Sequence, residues 1–426
     1  MTSPGSGRPA AGGRGRRRRQ GGVGGGVRGG VVAARGFRAA AAPAGVKPGT
    51  RRDDLALVVS DRAAVAAGVF TTNRVRAAPV LWSSRVVRAG RPVRAVLLNS
   101  GNANACTGEE GAAAVRSSAA ALARLLGCRA SQVLVASTGV IGVPFPGERL
   151  VAGLPRLVAR LESGARAAGT AARAIMTTDT RPKEHAVRLP AGSLTYSIGG
   201  MAKGAGMIHP QMATMLAVVT TDAPLSRAQA RRLLGAAVRR SFNAITVDGD
   251  TSTNDCVLLL ANGAAGGRVP PGSAVERRLG AALARVCAAL AEAVVADGEG
   301  ARKLLVVRVT GAQTEAQALL VARTVASSLL VKTAVHGGDP NWGRVLAAAG
   351  RAGVALDPRA LELRIGGHLV ARSGAAHAAG ERAAARHLRG RRVEMQLCIG
   401  GGRAAATAFG SDLGADYVRI NAHYRS

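Results

Sequence analysis

Aromatic residues, cysteines and acidic residues are all scarce in this sequence, and each shortage excludes a class of protein. With only five Phe, three Tyr and two Trp among 426 residues, any core is built mainly from Ala, Val and Leu. The five cysteines are odd in number and far apart, which argues against a disulfide framework and favours reduced thiols. The best apolar run, residues 280–296, is interrupted by Arg285 and Glu292, so we expect an amphipathic helix and no membrane span.

The charge is strongly unbalanced: 25 acidic residues face 58 Lys and Arg, a formal charge of +33 at pH 7. No acid precedes Asp53, and the Arg- and Gly-rich residues 1–36 lack the apolar stretch of a secretory signal. We expect these residues to be a disordered extension, or a misassigned start, ahead of a cytoplasmic protein. A basic surface favours anionic ligands and binds polyanions non-specifically at low salt. Aromatic residues that could stack on bases are not interleaved with the arginines, so we predict no specific nucleic-acid partner.

After residue 36, short apolar runs alternate with helical patterns, which is typical of an α/β protein with helices layered on a mixed sheet. Strands are predicted at residues 93–98, 133–136, 215–220, 257–260 and 304–309. Helices are predicted at residues 112–126, 148–161, 227–239, 274–296 and 315–330. Polar, Gly-punctuated segments lie between these elements, and loops on a rigid scaffold are where binding and catalytic sites are usually built.

Three familiar motifs fail on their spacing. GGMAKGAG at residues 199–206 fits neither the phosphate loop nor the dinucleotide fingerprint. DGDTSTND at residues 248–255 resembles a calcium loop, but its sixth position is Thr253 rather than Gly and its twelfth is Leu259. The seven histidines include no H-x-x-x-H pair, and we assign no metal site.

Nine segments of the chain resemble, in order, those of the ornithine acetyltransferases, also called bifunctional glutamate N-acetyltransferases. The likeness runs from about residue 37 to the C-terminus, and nine ordered segments are far more specific than any single motif. The segments are FTTNRVRAAPV (70–80), NSGNANACTG (99–108), STGVIG (137–142), AIMTTDTRPK (174–183), GGMAKGAGMIHPQMATML (199–216), SFNAITVDGDTSTND (241–255), DGEGARK (297–303), LVKTAVHGGDPNWGR (330–344) and ATAFGSDLGADYVRINAHY (406–424).

The resemblance implies a self-cleaving enzyme with an N-terminal-nucleophile-type fold. Members of the family cut themselves between the Ala and Thr of an A-T-M-L segment, here Ala213 and Thr214. The cut would separate an alpha fragment, residues 37–213 behind the extension, from a beta fragment, residues 214–426, and the family assembles the two as α2β2. Thr214 would then carry its own base, because an α-amino group with a pKa of about 7.7–8.0 is partly neutral near neutral pH.

The implied activity is transfer of the acetyl group of N2-acetyl-L-ornithine to L-glutamate, by a ping-pong route through acetyl-Thr214. The resemblance assigns the oxyanion contacts to Thr138 and Gly139. A lysine suits the α-carboxylate that ornithine and glutamate share, and a glutamate suits the ornithine ammonium. No cofactor is expected, although acetyl-CoA is a second acetyl donor for some members. Substrate contacts carry over to Thr177, Lys203, Thr214, Glu299, Asn421 and Ser426. Thr178 and Thr180 stay open as alternatives to Thr177, because the choice depends on the length of the loop before Lys203.

Three positions depart from the family pattern. Arg302 stands where Thr is usual and would add positive charge beside Glu299. His209, where a small or acidic residue is more common, lies five residues before the cut. Ser426, where Thr is common, keeps a hydroxyl. None of these departures removes a catalytic part.

Alternative functions make different predictions. A threonine-nucleophile amidase or aminopeptidase of related fold would pass the acyl group to water, so that no acetylglutamate would form. A paralogue serving a secondary-metabolite pathway is a close variant of that alternative. A basic nucleic-acid-binding protein would bind DNA or RNA with a steep salt dependence that survives removal of residues 1–36.

Overall fold

The structure is a computed structural model that describes residues 26–47, 49–209 and 215–423. Within these ranges the strands are β1 (Phe37–Ala42), β2 (Leu55–Phe70), β3 (Val93–Asn99), β4 (Val133–Ser137), β5 (Lys183–Ala191), β6 (Leu194–Lys203), β7 (Leu216–Thr221), β8 (Ile245–Thr246), β9 (Cys256–Ala261), β10 (Leu304–Ala312), β11 (Glu362–Ile365), β12 (His368–Arg372), β13 (Ala375–Ala376), β14 (Arg392–Cys398) and β15 (Ala404–Ser411). The α-helices are α1 (Ala78–Ala89), α2 (Gly108–Leu125), α3 (Gly147–Ala159), α4 (Ala165–Ala174), α5 (Arg227–Arg239), α6 (Ala274–Ala296), α7 (Glu315–Ala326), α8 (Leu329–Gly337), α9 (Trp342–Gly350), α10 (Glu381–Leu388) and α11 (Ala415–His423).

Eight strands form the first sheet, in the order β4-β3-β2-β9-β7-β6-β5, with β1 paired to β2. Strand β2 is 16 residues long and takes part in two regions of this sheet. Its first half pairs with β1 and β3, its second half pairs with β9, and its register against β3 shifts between Val59 and Ala64. The strand therefore joins a region of β1–β4 to a region of β5, β6, β7 and β9.

The alternation of side chains along the strands places these two regions face to face. On β9, Val257 and Leu259 pack with helices α5 and α6, whereas Leu258 and Leu260 lie in a second core. Val58 of β2 belongs to the same second core, so both regions of the sheet contribute to it. The outer face of the β1–β4 region packs on α2 and α3. The layers run helix, strand, strand, helix, which confirms the predicted α/β class with helices layered on mixed sheet.

Seven strands form the second sheet, in the order β13-β12-β11-β14-β10-β15-β8. Strand β10 connects it to the first core, because Leu304 and Val306 pack with α6 while Leu305 lies among α7, α8 and α9. The short strand β8 pairs in parallel with β15, with Ile245 opposite Phe409. The second sheet is thereby attached to the layers that carry the first.

Three strands of different regions end close together. Strand β4 ends at Ser137, β6 at Lys203 and β8 at Thr246. The segments that follow them, together with the loop after α6 and with helix α11, line one cavity. The fold therefore brings together loops that are far apart in the sequence.

The predicted extension boundary at residue 37 is wrong. Residues 26–36 are part of the fold: Val31 and Val32 are buried in the second core, and the N–H of Val27 donates to the carbonyl of Ala186 at 3.0 Å. The same segment makes a second close contact at Gly30, which only a glycine at position 199 of β6 permits. A Cβ on Gly199 would lie 1.9 Å from the carbonyl oxygen of Gly30. The Gly-rich composition that predicted disorder instead lets the segment lie against the sheet.

The helix predicted at residues 315–330 is also wrong, because it is two helices. Helices α7 and α8 are bent by 59° relative to each other. The side chain of Ser328 accepts a hydrogen bond from the N–H of Val331 and so begins a new helix where the pattern predicted continuity. The other predicted elements are present, each within four residues of its predicted ends.

Helix α6, with 23 residues, is long and apolar enough to cross a membrane by length and composition. Half of its most apolar stretch is buried inside the protein, where it packs on α5, β5 and β6. Leu283 and Leu290 lie in the first core. The helix is therefore a core helix of the layered fold, as its interrupting charges indicated.

The core between the two regions of the sheet should dominate stability. Replacing the fully buried Leu258 with Ala removes apolar contacts from both regions, and we expect a loss of about 2–5 kcal/mol in the free energy of unfolding. The urea midpoint, followed by circular dichroism, measures the effect. Leu330→Ala is the control, since Leu330 is 59% exposed and its truncation should shift the midpoint little. Equal shifts for the two variants would contradict the layered core.

Candidate active site

A cavity of about 150 Å³ contains six of the residues that the sequence assigned to catalysis or substrate binding. These are Thr138, Gly139, Thr177, Lys203, Glu299 and Asn421. The predicted nucleophile Thr214, its neighbour Ala213 and the terminal Ser426 lie outside the described residues. Among the residues that line the cavity and that the sequence did not assign are Met207, Asp248, Asp250, Ser252, Asn254 and Tyr417.

The turn that carries Thr138 needs a glycine at its second position. The N–H of Thr138 donates to the carbonyl of Asn99 at 3.0 Å, which fixes the turn against the end of β3. Gly139 has φ +133°, and a Cβ built there would lie 2.3 Å from the carbonyl carbon of Gly101 and 2.5 Å from the nitrogen of Asn102. Both the backbone angle and the close approach therefore exclude a side chain at this position.

Lys203, the last residue of β6, links two hydroxyls of the cavity. Its Nζ donates to Oγ1 of Thr177 at 2.8 Å and to Oγ1 of Thr138 at 3.2 Å. Sequence alone left Thr178 and Thr180 as alternatives to Thr177. Thr178 also lines the cavity, but the hydroxyl of Thr180 is bonded to Asp297. Because an ammonium only donates, each hydroxyl that accepts from Lys203 keeps its own proton for another partner.

A group of buried charges that no motif in the sequence had indicated lies beneath Lys203. Lys183 pairs with Asp179 at 2.5 Å and with Asp297 at 2.6 Å, and all three side chains are almost fully buried. Burial by itself would raise the pKa of Asp179, but the ammonium groups of Lys203 and Lys183 and the N–H of Gly204 lower it to about 2. The carboxyl group of Asp179 is therefore ionised near neutral pH.

Glu299 reaches the cavity from the loop after α6. Its N–H donates to the carbonyl of Ala205 at 2.8 Å, and its carboxylate accepts from the side-chain amide of Asn421 at 2.8 Å. A Cβ at Gly206 would lie 2.4 Å from the Glu299 carboxylate, so the glycine leaves the space that this side chain occupies. Glu299 thus connects the loop after β6 to helix α11, which carries Asn421.

Asp248 and Tyr417 are site residues that sequence reasoning missed. The carboxylate of Asp248 accepts from the N–H of Met207 at 2.5 Å and of Ile208 at 2.8 Å, and Met207 has the unusual φ of +56°. Burial raises the pKa of Asp248 to about 6, against the N–H groups of Asp250, Met207 and Ile208, which lower it. Burial and then the Asp248 carboxylate, to which the phenol hydrogen bonds, raise the pKa of Tyr417. Nothing local in DGDTSTND or DYVRINAH shows that the two segments meet.

Asp255 directly precedes β9, beside the start of the neighbouring strand β7, and it contacts Met215, the residue that follows Thr214. The N–H of Met215 donates to Oδ1 of Asp255 at 2.7 Å. Asp255 is fully buried, and within the described part of the chain its other carboxyl oxygen has no hydrogen-bond partner. Burial raises the pKa of Asp255 well above its ordinary value. Across residues 26–47, 49–209 and 215–423, no three His, Cys, Asp or Glu side chains form a group that could hold a metal ion.

Two residues that depart from the family pattern, Arg302 and His209, have partners outside the cavity lining. The guanidinium of Arg302 pairs with Asp416 of α11 at 2.9 Å, so its charge lies on the helix that carries Asn421 rather than in the cavity. Nδ1 of His209 lies 3.3 Å from the hydroxyl of Thr246, and burial, then the nearby Arg323, lower the pKa of His209. Arg302 therefore helps to attach helix α11 to the loop that follows α6.

A family model for the ArgJ family matches residues 38–426 of the chain. The chain belongs to the ArgJ family. The arginine biosynthesis bifunctional protein ArgJ of Symbiobacterium thermophilum is 52% identical over 402 residues, which cover 93% of this chain and 99% of the relative. The protein of the same name from Thermosynechococcus vestitus is 49% identical over 417 residues, 93% of this chain and 98% of its own.

A solved structure of ornithine acetyltransferase complexed with ornithine, from Mycobacterium tuberculosis, is 45% identical to this chain. The match covers 43% of this chain and 95% of the solved chain, with a TM-score of 0.39. Family membership confirms the resemblance seen in the nine segments, and with it an acetyltransferase of arginine biosynthesis. The amidase and nucleic-acid-binding alternatives are not favoured.

The turn at Gly139 gives a sharp test of the cavity. We expect Gly139→Ala to lower kcat/KM for acetyl transfer about a hundredfold, because the new Cβ forces the turn away from Asn102 and displaces Thr138. Gly142→Ala is the control: its φ of +75° also lies in the range that L residues rarely adopt, but nothing lies within 4 Å of the added Cβ. Steady-state kinetics of both variants measure the difference. If the two lose activity equally, backbone strain and not the position of Thr138 is responsible.

Proposed function

We propose that the chain transfers the acetyl group of N2-acetyl-L-ornithine to L-glutamate, with the hydroxyl of Thr214 as nucleophile. The observation that carries this proposal is the single cavity in which Thr138, Gly139 and Lys203 meet Glu299. These residues come from loops far apart in the chain, and they supply a hydroxyl, a cation and an anion within one amino-acid-sized space. Such a set suits a zwitterionic substrate whose acetyl group is to be attacked.

Cleavage between Ala213 and Thr214 makes the nucleophile. Two aspartates support this step from either side: Asp248 holds the N–H groups of Met207 and Ile208 upstream, and Asp255 holds that of Met215 downstream. The hydroxyl of Thr214 attacks the carbonyl carbon of Ala213, and the C–N bond between the two residues breaks as the nitrogen takes the hydroxyl proton. Water then hydrolyses the resulting ester, which frees the carboxylate of Ala213 and the hydroxyl of Thr214. The released α-amino group, with a pKa of about 7.7–8.0, then acts as the base of Thr214.

The transfer itself has two half-reactions. The hydroxyl of Thr214 attacks the acetyl carbonyl carbon, its proton passes to the α-amino group, and the C–N bond to ornithine breaks as the leaving amine takes that proton. The amine of glutamate then attacks the acetyl-threonine ester, its proton passes by way of the α-amino group to the Thr214 oxygen, and the C–O bond to that oxygen breaks. Each tetrahedral intermediate carries an oxyanion. Thr138 can donate to it, because the hydroxyl oxygen already accepts from Lys203 and its proton is free to point elsewhere.

Substrate placement follows from the charges of the cavity. Lys203 with Thr177 binds the α-carboxylate that both substrates share, and Glu299 binds the side-chain ammonium of ornithine. Asn421 holds the Glu299 carboxylate at 2.8 Å and so fixes where that ammonium binds. Ser426, the last residue, is assigned to the same substrate by its place in the family motif.

The two fragments stay together after the cut. The pairing of β6 with β7 joins the alpha fragment to the beta fragment, and that of β2 with β9 does so again. The first two cores contain residues of both fragments, so separation would expose apolar surface throughout the layers. We infer an α2β2 assembly of these fragments in the cytoplasm, where the five cysteines, all unpaired, would stay reduced.

No cofactor enters this reaction. The base is the α-amino group of Thr214, and the oxyanion is bound by protein donors. Acetyl-CoA is included only as an alternative acetyl donor that would load the same threonine. Release of coenzyme A in the presence of glutamate alone distinguishes an enzyme that accepts this donor from one that needs acetylornithine.

The nucleophile is tested by the mass of the purified protein. We expect two fragments from the wild type, the second beginning Thr-Met-Leu-Ala, and a single uncut chain from Thr214→Ala, because the attacking hydroxyl is gone. Thr214→Ser is the control, since it keeps a hydroxyl and should still cut. An uncut wild type that is folded would overturn the mechanism. Release of free acetate without acetylglutamate would instead favour the amidase alternative.

The role of Glu299 is tested by its neutral analogue. Glu299→Gln removes the charge opposite the ornithine ammonium, and we expect kcat/KM for acetylornithine to fall about 10–100-fold, the value of one charge-assisted hydrogen bond. The KM for glutamate should change much less. Glu315→Gln, at an exposed pair with Arg240, is the matched control and should leave both values unchanged. A loss shared equally by donor and acceptor would remove Glu299 from recognition of the ornithine side chain.

A further inference from the structure

We propose that Asp179 is a positioning residue of this reaction, whose buried carboxylate holds the Lys203 ammonium against the hydroxyls of Thr138 and Thr177. The inference rests on the proposed function for its kinetic consequences, but the coupling between the two side chains is independent of it. Asp179 does not line the cavity. It acts on the substrate contacts only through Lys203 and the backbone around it.

One carboxylate fixes three parts of the site. Oδ1 of Asp179 accepts from the N–H of Gly204 at 2.7 Å, which holds the backbone directly after Lys203. Oδ2 accepts from the N–H of Thr177 at 3.1 Å and lies 3.8 Å from Nζ of Lys203. The side chain of Asp179 is fully buried, so water does not compete for these contacts. The lysine and the threonine to which it donates are therefore set by the same group.

The buried ammonium group of Lys203 needs a negative charge nearby, and Asp179 supplies one. Lys203 is fully buried, which lowers its pKa, and an isolated ammonium in such a place is costly. Four charged groups face it: Asp179, Glu299 and Asp255 raise its pKa, whereas Lys183 lowers it. Of the three acids, Asp179 is the one in an ion pair with Lys203 among the described residues. Asp179 thus contributes most to keeping Lys203 protonated.

The protonation state of Lys203 decides what Thr138 can do. As an ammonium, Nζ donates to the Thr138 oxygen and leaves the hydroxyl proton for the oxyanion. As a neutral amine, Nζ offers a lone pair that can accept that same proton. The hydrogen bond would then be reversed, and the oxyanion would lose one of its donors. Activity should therefore fall as pH rises through the pKa of Lys203.

Two aspartates of the same ion cluster provide a matched comparison. Asp179→Asn and Asp297→Asn each remove one carboxylate that pairs with Lys183, at 2.5 Å and 2.6 Å, but only Asp179 also pairs with Lys203. We expect Asp179→Asn to move the alkaline limb of the kcat/KM profile about one pH unit lower and to raise KM at least tenfold. Asp297→Asn should keep the limb where the wild type has it.

A measurement without turnover separates this inference from the proposed function. The chain has only five lysines, Lys47, Lys183, Lys203, Lys303 and Lys332, so lysine labelled with ¹³C at Cε gives few resonances to assign. The Lys203 signal should titrate at lower pH in Asp179→Asn than in the wild type or in Asp297→Asn. The same titration midpoint in all three proteins would overturn the inference. A shifted midpoint in a protein that transfers no acetyl group would support the coupling and contradict the proposed function.

A second variant, expected to move the pKa of Lys203 in the opposite direction, keeps the inference testable if Asp179→Asn does not fold. Lys183→Met removes the ammonium that lowers the pKa of Lys203 and leaves Asp179 without its 2.5 Å partner. The Lys203 resonance should then titrate at higher pH, and the alkaline limb of the kinetic profile should move with it. No upward movement in a folded Lys183→Met protein would also overturn the inference.

Discussion

The antiparallel register of β6 and β7 fixes the geometry on which the site depends. Ile198 lies opposite Thr221 and Lys203 opposite Leu216, so the last residue of β6 is level with the third residue of the proposed beta fragment. A slip of one residue would turn Lys203 to the other face of the sheet, away from Thr138 and Thr177. The pairing also crosses the proposed cut, and for that reason the cut can release a new terminus without releasing the strand that carries it.

Small side chains let other elements pack closely on the two regions of the sheet without disturbing this register. Helix α4 lies in the second core with Ala168, Ala171 and Ala172, all fully buried, so it packs beside the strands without pushing them apart. Glycines of β6 do the same for the segment that precedes β1, where Gly199 leaves room for the carbonyl of Gly30. A core poor in aromatic residues is therefore a consequence of close backbone approach, and the cavity is bordered by backbone as much as by side chains.

Local signals in the sequence predicted the elements well where they were strong. Helix α5 was predicted at its observed ends, and in the structure Ser226 and Gln229 form a capping box at its start. The burial of Val31 and Val32 was missed because short runs of Val amid Gly and Arg have no periodicity that predicts a buried segment. Family segments located six cavity residues, and they did so through likeness rather than through any physical signal in single residues.

The residues that were missed share a different property: their importance lies in contacts made across the chain. Lys183 meets Asp297 over 114 positions, and Asp248 meets Met207 over 41. The residue type alone indicates a polar turn in each case. The pairing of the strands and the direction of their side chains bring these residues together, as an ion cluster in one case and as a carboxylate that binds backbone N–H groups in the other. Local composition predicts neither contact.

The distribution of charge explains why the total was a poor guide to function. The excess of +33 comes mostly from arginines, whereas six of the 25 acids lie together in or just beneath the cavity. These acids are Asp179, Asp248, Asp250, Asp255, Asp297 and Glu299, and they face two buried ammonium groups, those of Lys183 and Lys203. Exposed charges are screened within about 8–10 Å at physiological salt, but charges in a buried cavity are not. A ligand in the cavity therefore experiences acids that outnumber cations, in a protein whose surface has the opposite sign. That local field repels a polyanion and stabilises a substrate with a cationic side chain, such as the ornithine of the proposed reaction, provided that one ammonium, Lys203, remains charged to bind its carboxylate.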